Sequence, residues 1–216
     1  MTTRSAEVRA ARARRPAISR RTRVRRRRAL IALALAAGVA VAAALLAPLF
    51  GTAVKELTLP LRHEDVIRQQ ASEKGLDPAL IAGVIYAESK FADRTSSAGA
   101  QGLMQILPET ARFIARRSGG TRFRTADLAD PEVNIRYGSY YLRYLLDRHG
   151  GSEVLALASY NAGETNVARW IARARADGRR FTADDIPFPE TRAYVERVLG
   201  AREDYRREYA SELGLG

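Results

Sequence analysis

The sequence predicts an all-α protein, a compact helical domain preceded by a single apolar helix. Three observations carry this reading. Apolar residues recur at helical spacing, and no alternating run is long enough for a strand. Asp-Pro pairs at 77–78 and 130–131, with glycines at 75, 119–120, 150–151 and 163, cut the body into helix-length pieces. Finally, 22 consecutive residues, Ala29 to Phe50, carry no charge.

The elements follow in chain order. Residues 1–28 hold twelve Arg and one Glu, whereas residues 51–216 hold 24 Lys and Arg against 23 Asp and Glu. The formal charge of +12 therefore belongs to the tail, and the body gives no reason to expect nucleic acid as a partner. The uncharged run 29–50 exceeds the roughly 7–15 apolar residues of a secretory signal and matches the about 20 that span a bilayer. It reads as a transmembrane anchor. The Arg-rich side lies in the cytoplasm by the positive-inside rule, and the body lies across the plasma (inner) membrane. Gly51-Thr52-Ala53 offers small residues at a spacing suited to signal peptidase, so secretion after cleavage is the alternative. Residues 51–62 read as a linker, and 63–216 as the globular domain.

Within that domain a helix over 64–74 ends at Gly75. Asp77 caps the next helix, with Pro78 at its first position. Pro108 opens a helix to about Arg117, stopped by Gly119-Gly120. Asp130-Pro131 opens a long helix to Arg148. Ser152 caps another, ended by Gly163, whose Leu155-Ala156-Leu157-Ala158 leaves no polar side and predicts burial all round. A further helix runs over 164–176, and Pro187 and Pro189 introduce the last, through Tyr209. The absence of Cys excludes disulfides and thiolate metal sites. His63 and His149 are too few and too far apart for a metal site, and both read as surface residues at helix ends. Trp170 reads as core.

Glu88 interrupts an apolar stripe. Ile81, Val84 and Ile85 stand at i, i+3 and i+4, and Glu88 falls at i+7 on the same face. Such a carboxyl either joins a buried ion pair or, desolvated, keeps its proton near neutral pH, as a general acid for glycosidic cleavage must. Helix position alone favours the ion pair. The polar, glycine-rich loop that follows, with Ser96, Ser97, Gly99 and Gly102, lets backbone approach a ligand closely and shifts the reading toward an active site.

Four segments then carry a resemblance. Glu88-Ser89-Lys90-Phe91 with Ser96-Ser97-Ala98-Gly99-Ala100-Gln101-Gly102-Leu103-Met104-Gln105 resembles the signature of soluble lytic transglycosylase-type (SLT) catalytic domains. Asn134–Leu142 resembles the family's N-x-x-x-G-x-x-Y-L helix. Ala158–Gly163 resembles its A-x-Y-N-A-G segment, and Ile186–Val195 its closing P-x-E-T-R-x-Y-V segment. The order is the family's, over residues 63–210. The loop Ala92–Thr95 is one residue shorter than the usual pattern.

The resemblance implies a lysozyme-like helical domain that cleaves the β-1,4 bond between N-acetylmuramic acid and N-acetylglucosamine in peptidoglycan glycan strands, without cofactor or metal. Where lysozyme uses two carboxylates, a single Glu88 acts first as acid and then as base, closing a 1,6-anhydro ring. By the same resemblance Ser96 and Gln105 hydrogen-bond sugar substituents, and Met104 lines the groove. Tyr160 packs near Glu88 or donates to the sugar, and Glu190 and Tyr194 form the far wall. Ser89 and Asn161 give structural support. The rivals are a muramidase that hydrolyses the same bond and a non-catalytic glycan-binding scaffold.

Overall fold

The computed structural model describes residues 20–120 and 122–215, so residues 1–19 of the expected tail lie outside it. The chain divides into two units, residues 1–54 and 55–216.

Helix α1, Arg20–Thr58, supplies the first unit and enters the second. It contains Arg23–Ala47, 25 residues long and apolar enough to cross a membrane by length and composition. At 1.5 Å per residue this is about 37 Å, more than the ~30 Å hydrocarbon core. Its leucines and valines from Leu30 to Leu46 are exposed. The helix also runs through residues 51–58, most of the stretch expected as a linker. Tyrosine hydroxyls pin its end and the turn after it. Tyr86 donates to the Thr58 carbonyl (3.1 Å), Tyr209 to Leu59 (2.8 Å) and Tyr205 to Pro60 (2.5 Å).

The second unit continues with α2 (Glu64–Lys74), α3 (Pro78–Ser89), α4 (Pro108–Ser118) and a 3₁₀ turn (Thr125–Ala129). Then come α5 (Pro131–Arg148), α6 (Glu153–Ala162), α7 (Glu164–Ala176), a second 3₁₀ turn (Ala183–Asp185) and α8 (Pro189–Glu208). Among the described residues there is no strand, only single bridges joining Thr95 to Gln101 and Gln101 to Ile106. The expected starts are capped: Asp77 accepts from Ala79 N–H (2.9 Å), and Asp130 from Glu132 and Val133 N–H (2.8 and 3.2 Å). Gly75 and Gly119 close α2 and α4 in the left-handed conformation.

The helix buried all round is α3, where every residue from Ala79 to Ile85 is inside. In α6, by contrast, Ala156, Leu157 and Ala158 are buried but Leu155 is only half-buried, which corrects the expectation of full burial there. Each fully buried Ile, Leu or Val contributes about 1.5–3 kcal/mol, so α3 anchors the domain. Its main partner is α8. The two backbones approach closely at Gly83, where a Cβ would stand 2.9 Å from the Val198 carbonyl oxygen. Glu88 therefore projects from the last turn of a helix buried on all sides.

Candidate active site

Glu88 is half-buried at the C-terminal end of α3. Burial raises its pKa from 4.5 to about 7, against the opposing influence of the Tyr194 hydroxyl and the Arg94 and Arg197 guanidinium charges. Among the described residues no second carboxylate shifts it. Glu190, on the first turn of α8, is exposed to solvent. The ion pair that helix position favoured is not formed; two guanidinium groups act on Glu88 through space.

Tyr160 and Tyr194 frame the acid. Both phenols are pushed well above their ordinary range, first by burial and then by the Glu88 charge. Tyr160 donates its hydroxyl to the Met104 carbonyl (2.9 Å). Tyr194 lies close enough to act on Glu88, yet its buried hydroxyl has no partner in hydrogen-bond geometry. Behind Tyr160 the aromatic wall continues through Tyr141 (ring centroids 5.5 Å apart) to Tyr144 and Phe113.

After Glu88 the chain turns hard. Lys90 and Phe91 both have positive φ (53° and 61°), although neither is glycine. Each costs of order 1 kcal/mol or more. The turn buries Phe91 against Tyr205 and leads into the loop of residues 92–106. Ser89, buried, donates its hydroxyl to the Ile85 carbonyl one turn back in the same helix (3.2 Å).

The loop is a small, heavily tied hairpin. Ser96 accepts from Ala100 N–H at its hydroxyl (3.0 Å), leaving the hydroxyl proton free. Gln105 sits at φ 47°, and its side-chain amide donates to the Arg94 and Gly102 carbonyls (2.9 and 2.7 Å). Both of its N–H groups thus serve the loop, and only its carbonyl oxygen is left for a ligand. Met104 departs from its expected place. Its side chain is fully buried against Gly138, where a Cβ would collide with it, so it supports the site from beneath and does not line a groove.

Two contributors lay outside the predicted set. Asn134, fully buried on α5, accepts from Met104 N–H (2.8 Å) and donates to the Gln101 and Leu128 carbonyls (2.8 and 3.0 Å). The signal was present in the pairing of Asn134 with Gly138 one turn later: one staples the loop, the other makes room for Met104. Arg94 donates from its guanidinium to the Glu88 carbonyl oxygen, while its own carbonyl accepts from Gly102 N–H (3.0 Å) and Gln105. It clips loop to helix. An exposed Arg in a loop carries no sequence signal of that kind.

Asn161 accepts from the buried Thr191 hydroxyl (2.7 Å), fixing the α6–α7 turn against α8. His149 corrects the surface expectation, since it is half-buried and bonded to the buried Ser159 hydroxyl (2.7 Å). Trp170 is also only half-buried, edge-on to the exposed Phe188. Among the described residues no group of three or more His, Asp or Glu could hold a metal ion.

The chemistry available is that of one protonatable acid, two tyrosines and two guanidinium groups beside a polar loop. Comparison with known proteins gives the family. The Soluble lytic murein transglycosylase of Escherichia coli is 34% identical over 70% of this chain, which spans about a quarter of that relative (24%). Membrane-bound lytic murein transglycosylase C of Edwardsiella ictaluri is 27% identical over 68% of this chain and 47% of its own length. An inactive Glu-to-Gln mutant of lytic transglycosylase Slt from Pseudomonas aeruginosa superposes with a TM-score of 0.66 at 34% identity, covering 71% of this chain and 25% of that one. Residues 65–181 match the Transglycosylase SLT domain family, and the chain belongs to that family.

Proposed function

We propose that this protein is a membrane-anchored peptidoglycan lytic transglycosylase that cleaves the β-1,4 MurNAc–GlcNAc bond and leaves a 1,6-anhydro-MurNAc end. The observation that carries the reading is Glu88, a half-buried carboxyl with a pKa near 7 and no carboxylate partner. Such a group holds a proton at neutral pH and, once it has given that proton up, is basic enough to take another.

In the first step Glu88 passes its proton to the glycosidic oxygen as the C1–O bond breaks. The positive charge that develops on the muramic ring is met by the sugar's own acetamido oxygen. In the second, the Glu88 carboxylate takes the proton of the same sugar's C6 hydroxyl as that oxygen bonds to C1. The proton count closes on Glu88, and no water enters. Arg94 and Arg197 stabilise the carboxylate between the steps, and the unpartnered Tyr194 hydroxyl is available to donate to it. Ser96, through its free hydroxyl proton, and Gln105, through its remaining carbonyl, would hold sugar substituents. Tyr160 shapes the wall at the reacting ring, and Glu190 stands farther along it. Ser89 and Asn161 hold the framework.

The domain plan that supports this is a tail of residues 1–28 in the cytoplasm, an anchor over 29–50 and a catalytic body from residue 63 on the outer face. The test is mass spectrometry of the fragments released from purified wall sacculi. Muropeptides lighter by one water than hydrolysed ends support the proposal. Hydrated ends identify a muramidase instead, and binding without release identifies a scaffold. Glu88→Gln is expected to abolish release, and full activity in that variant would overturn the assignment of the acid.

A further inference from the structure

Where α2, α4 and α5 meet, two cavities of ≈370 Å³ and ≈320 Å³ share Gly119, Gly120, Arg136 and Tyr137 in their walls. A third, of ≈290 Å³, adjoins the same two glycines between Arg112 and Arg116. Together the walls hold five cations, Lys74, Arg112, Arg116, Arg122 and Arg136, and one carboxylate, Asp127. Asp127 is already engaged by the backbone N–H and guanidinium of Arg124. The four arginines of the walls make no ion pair and no hydrogen bond with any described residue. Some arginines elsewhere in the body, such as Arg143, Arg179, Arg202 and Arg206, have carboxylate partners; what sets the wall apart is the gathering of its cations around one set of cavities. In a domain whose charges otherwise nearly balance, this is a local concentration of positive charge.

A second observation is independent of the charges. The Tyr137 ring is buried and stacked on Phe123 (4.6 Å), and its hydroxyl makes no hydrogen bond with any described residue. The hydroxyl stands 3.0 Å from where a Cβ on Gly120 would be, so the glycine leaves it open to the cavity. Facing the cavity, that hydroxyl is a donor within reach of a ligand. The wall is thus rich in N–H and O–H donors, drawn from three helices and the loop between them, with a net positive charge. The ligand that fits is negative and rich in acceptor oxygens. Donors arriving from several directions suit a tetrahedral oxyanion better than the planar fork of a carboxylate.

We propose that this pocket is a binding site for a phosphate ester, separate from the site at Glu88. None of its wall residues is among those around the acid. Lys74 is already paired with Glu73 (3.4 Å); burial lowers its proton affinity against the pull of that carboxylate, and the Arg136 charge adds to the lowering. The phosphate could be carried by a soluble ester or by the headgroup of an anionic phospholipid, and the two sources differ as monoester and diester.

Isothermal titration of the full chain in non-ionic detergent separates them. The probes are inorganic phosphate, glycerol 3-phosphate and glycerophosphoglycerol, at constant ionic strength. At least one is expected to bind saturably. Arg136→Met is expected to weaken it about tenfold, and Tyr137→Phe about three- to tenfold, as the loss of one charge-assisted hydrogen bond requires. Arg173→Met, at an exposed arginine of α7, should change nothing. Tighter binding of the diester points to a headgroup, and tighter binding of the monoester to a soluble ester. Absence of saturable heat for all three probes, or affinity unchanged in both Arg136→Met and Tyr137→Phe, overturns the proposal. Tyr137→Phe keeps the buried ring and decides the matter should Arg136→Met fail to fold.

Discussion

Glu88 is costly to the fold in proportion to its use. Its carboxyl stays neutral up to about pH 7 in the folded protein but ionises near 4.5 in the unfolded chain. The unfolded state therefore sheds a proton first as the pH rises, and stability falls between about pH 4.5 and 7. The loss is bounded by about 3 kcal/mol, and solvent contact at a half-buried group reduces it. Glu88→Gln should accordingly melt higher than the native protein at pH 8, with the difference closing toward pH 4.5. Urea unfolding at both pH values checks this, and equal stability at pH 8 would mean the carboxyl is not held dry. Arg94 bears on the same equilibrium from the other side. Its charge lowers the Glu88 pKa while its guanidinium holds the Glu88 carbonyl. Arg94→Met should therefore move the alkaline limb of the kcat/KM profile to higher pH and reduce its plateau. A purely structural loss would lower the plateau and leave the limb where it was.

At the scale of elements, what could be read in advance was whatever depends on neighbours in sequence. The Asp77-Pro78 and Asp130-Pro131 starts and the Gly75 and Gly119 stops act within one helical turn, and each lies where its local chemistry puts it. The stripe of Ile81, Val84 and Ile85 placed Glu88 on a buried face for the same reason. What escaped prediction is decided by partners far along the chain. The left-handed Lys90 and Phe91 are tolerated because Tyr205 receives the Phe91 ring. Helix α1 persists past residue 51 into a segment that tyrosines of α3, α8 and the residue after α8 tie down. Met104 points inward because Gly138 vacates the space, and no local pattern around Met104 records that. Asn134 shows how one such long-range residue governs a whole element. Replacing it with Ala strips the Met104 N–H and the Gln101 and Leu128 carbonyls of their buried partner, at a cost of about 2–4 kcal/mol. Asn134→Ala should thus lower both thermal stability and wall cleavage, since the loop holding Ser96 and Gln105 loses its staple. Asp130→Ala, which removes only a helix cap worth about 1 kcal/mol, should lower stability less and leave cleavage near native. Equal losses of activity in the two variants would separate the loop from Asn134.

For the whole molecule the deciding quantity is the placement of charge. Twelve arginines precede residue 29, one acid accompanies them, and the body after residue 50 is almost neutral. Moving so many guanidinium groups through a bilayer is prohibitive, whereas a near-neutral domain translocates largely without regard to its charge. In the proposed topology the anchor would therefore place the body on the side of the membrane where the wall lies. The chain contains no Cys, so single cysteines report topology without background. Ser72→Cys, exposed on α2, should react with a membrane-impermeant maleimide in intact bacterial spheroplasts expressing the chain. Ser5→Cys should react only after lysis. The labelled protein should stay with the membrane through high-salt washing and leave it in detergent, because burial of an apolar helix, unlike contact between charged surfaces, is not screened by salt. Labelling of Ser5→Cys in intact cells would reverse the orientation. Recovery of the Ser72→Cys protein in the soluble fraction, shortened to begin near residue 54, would show that Gly51-Thr52-Ala53 is cut and that the anchor serves only for export.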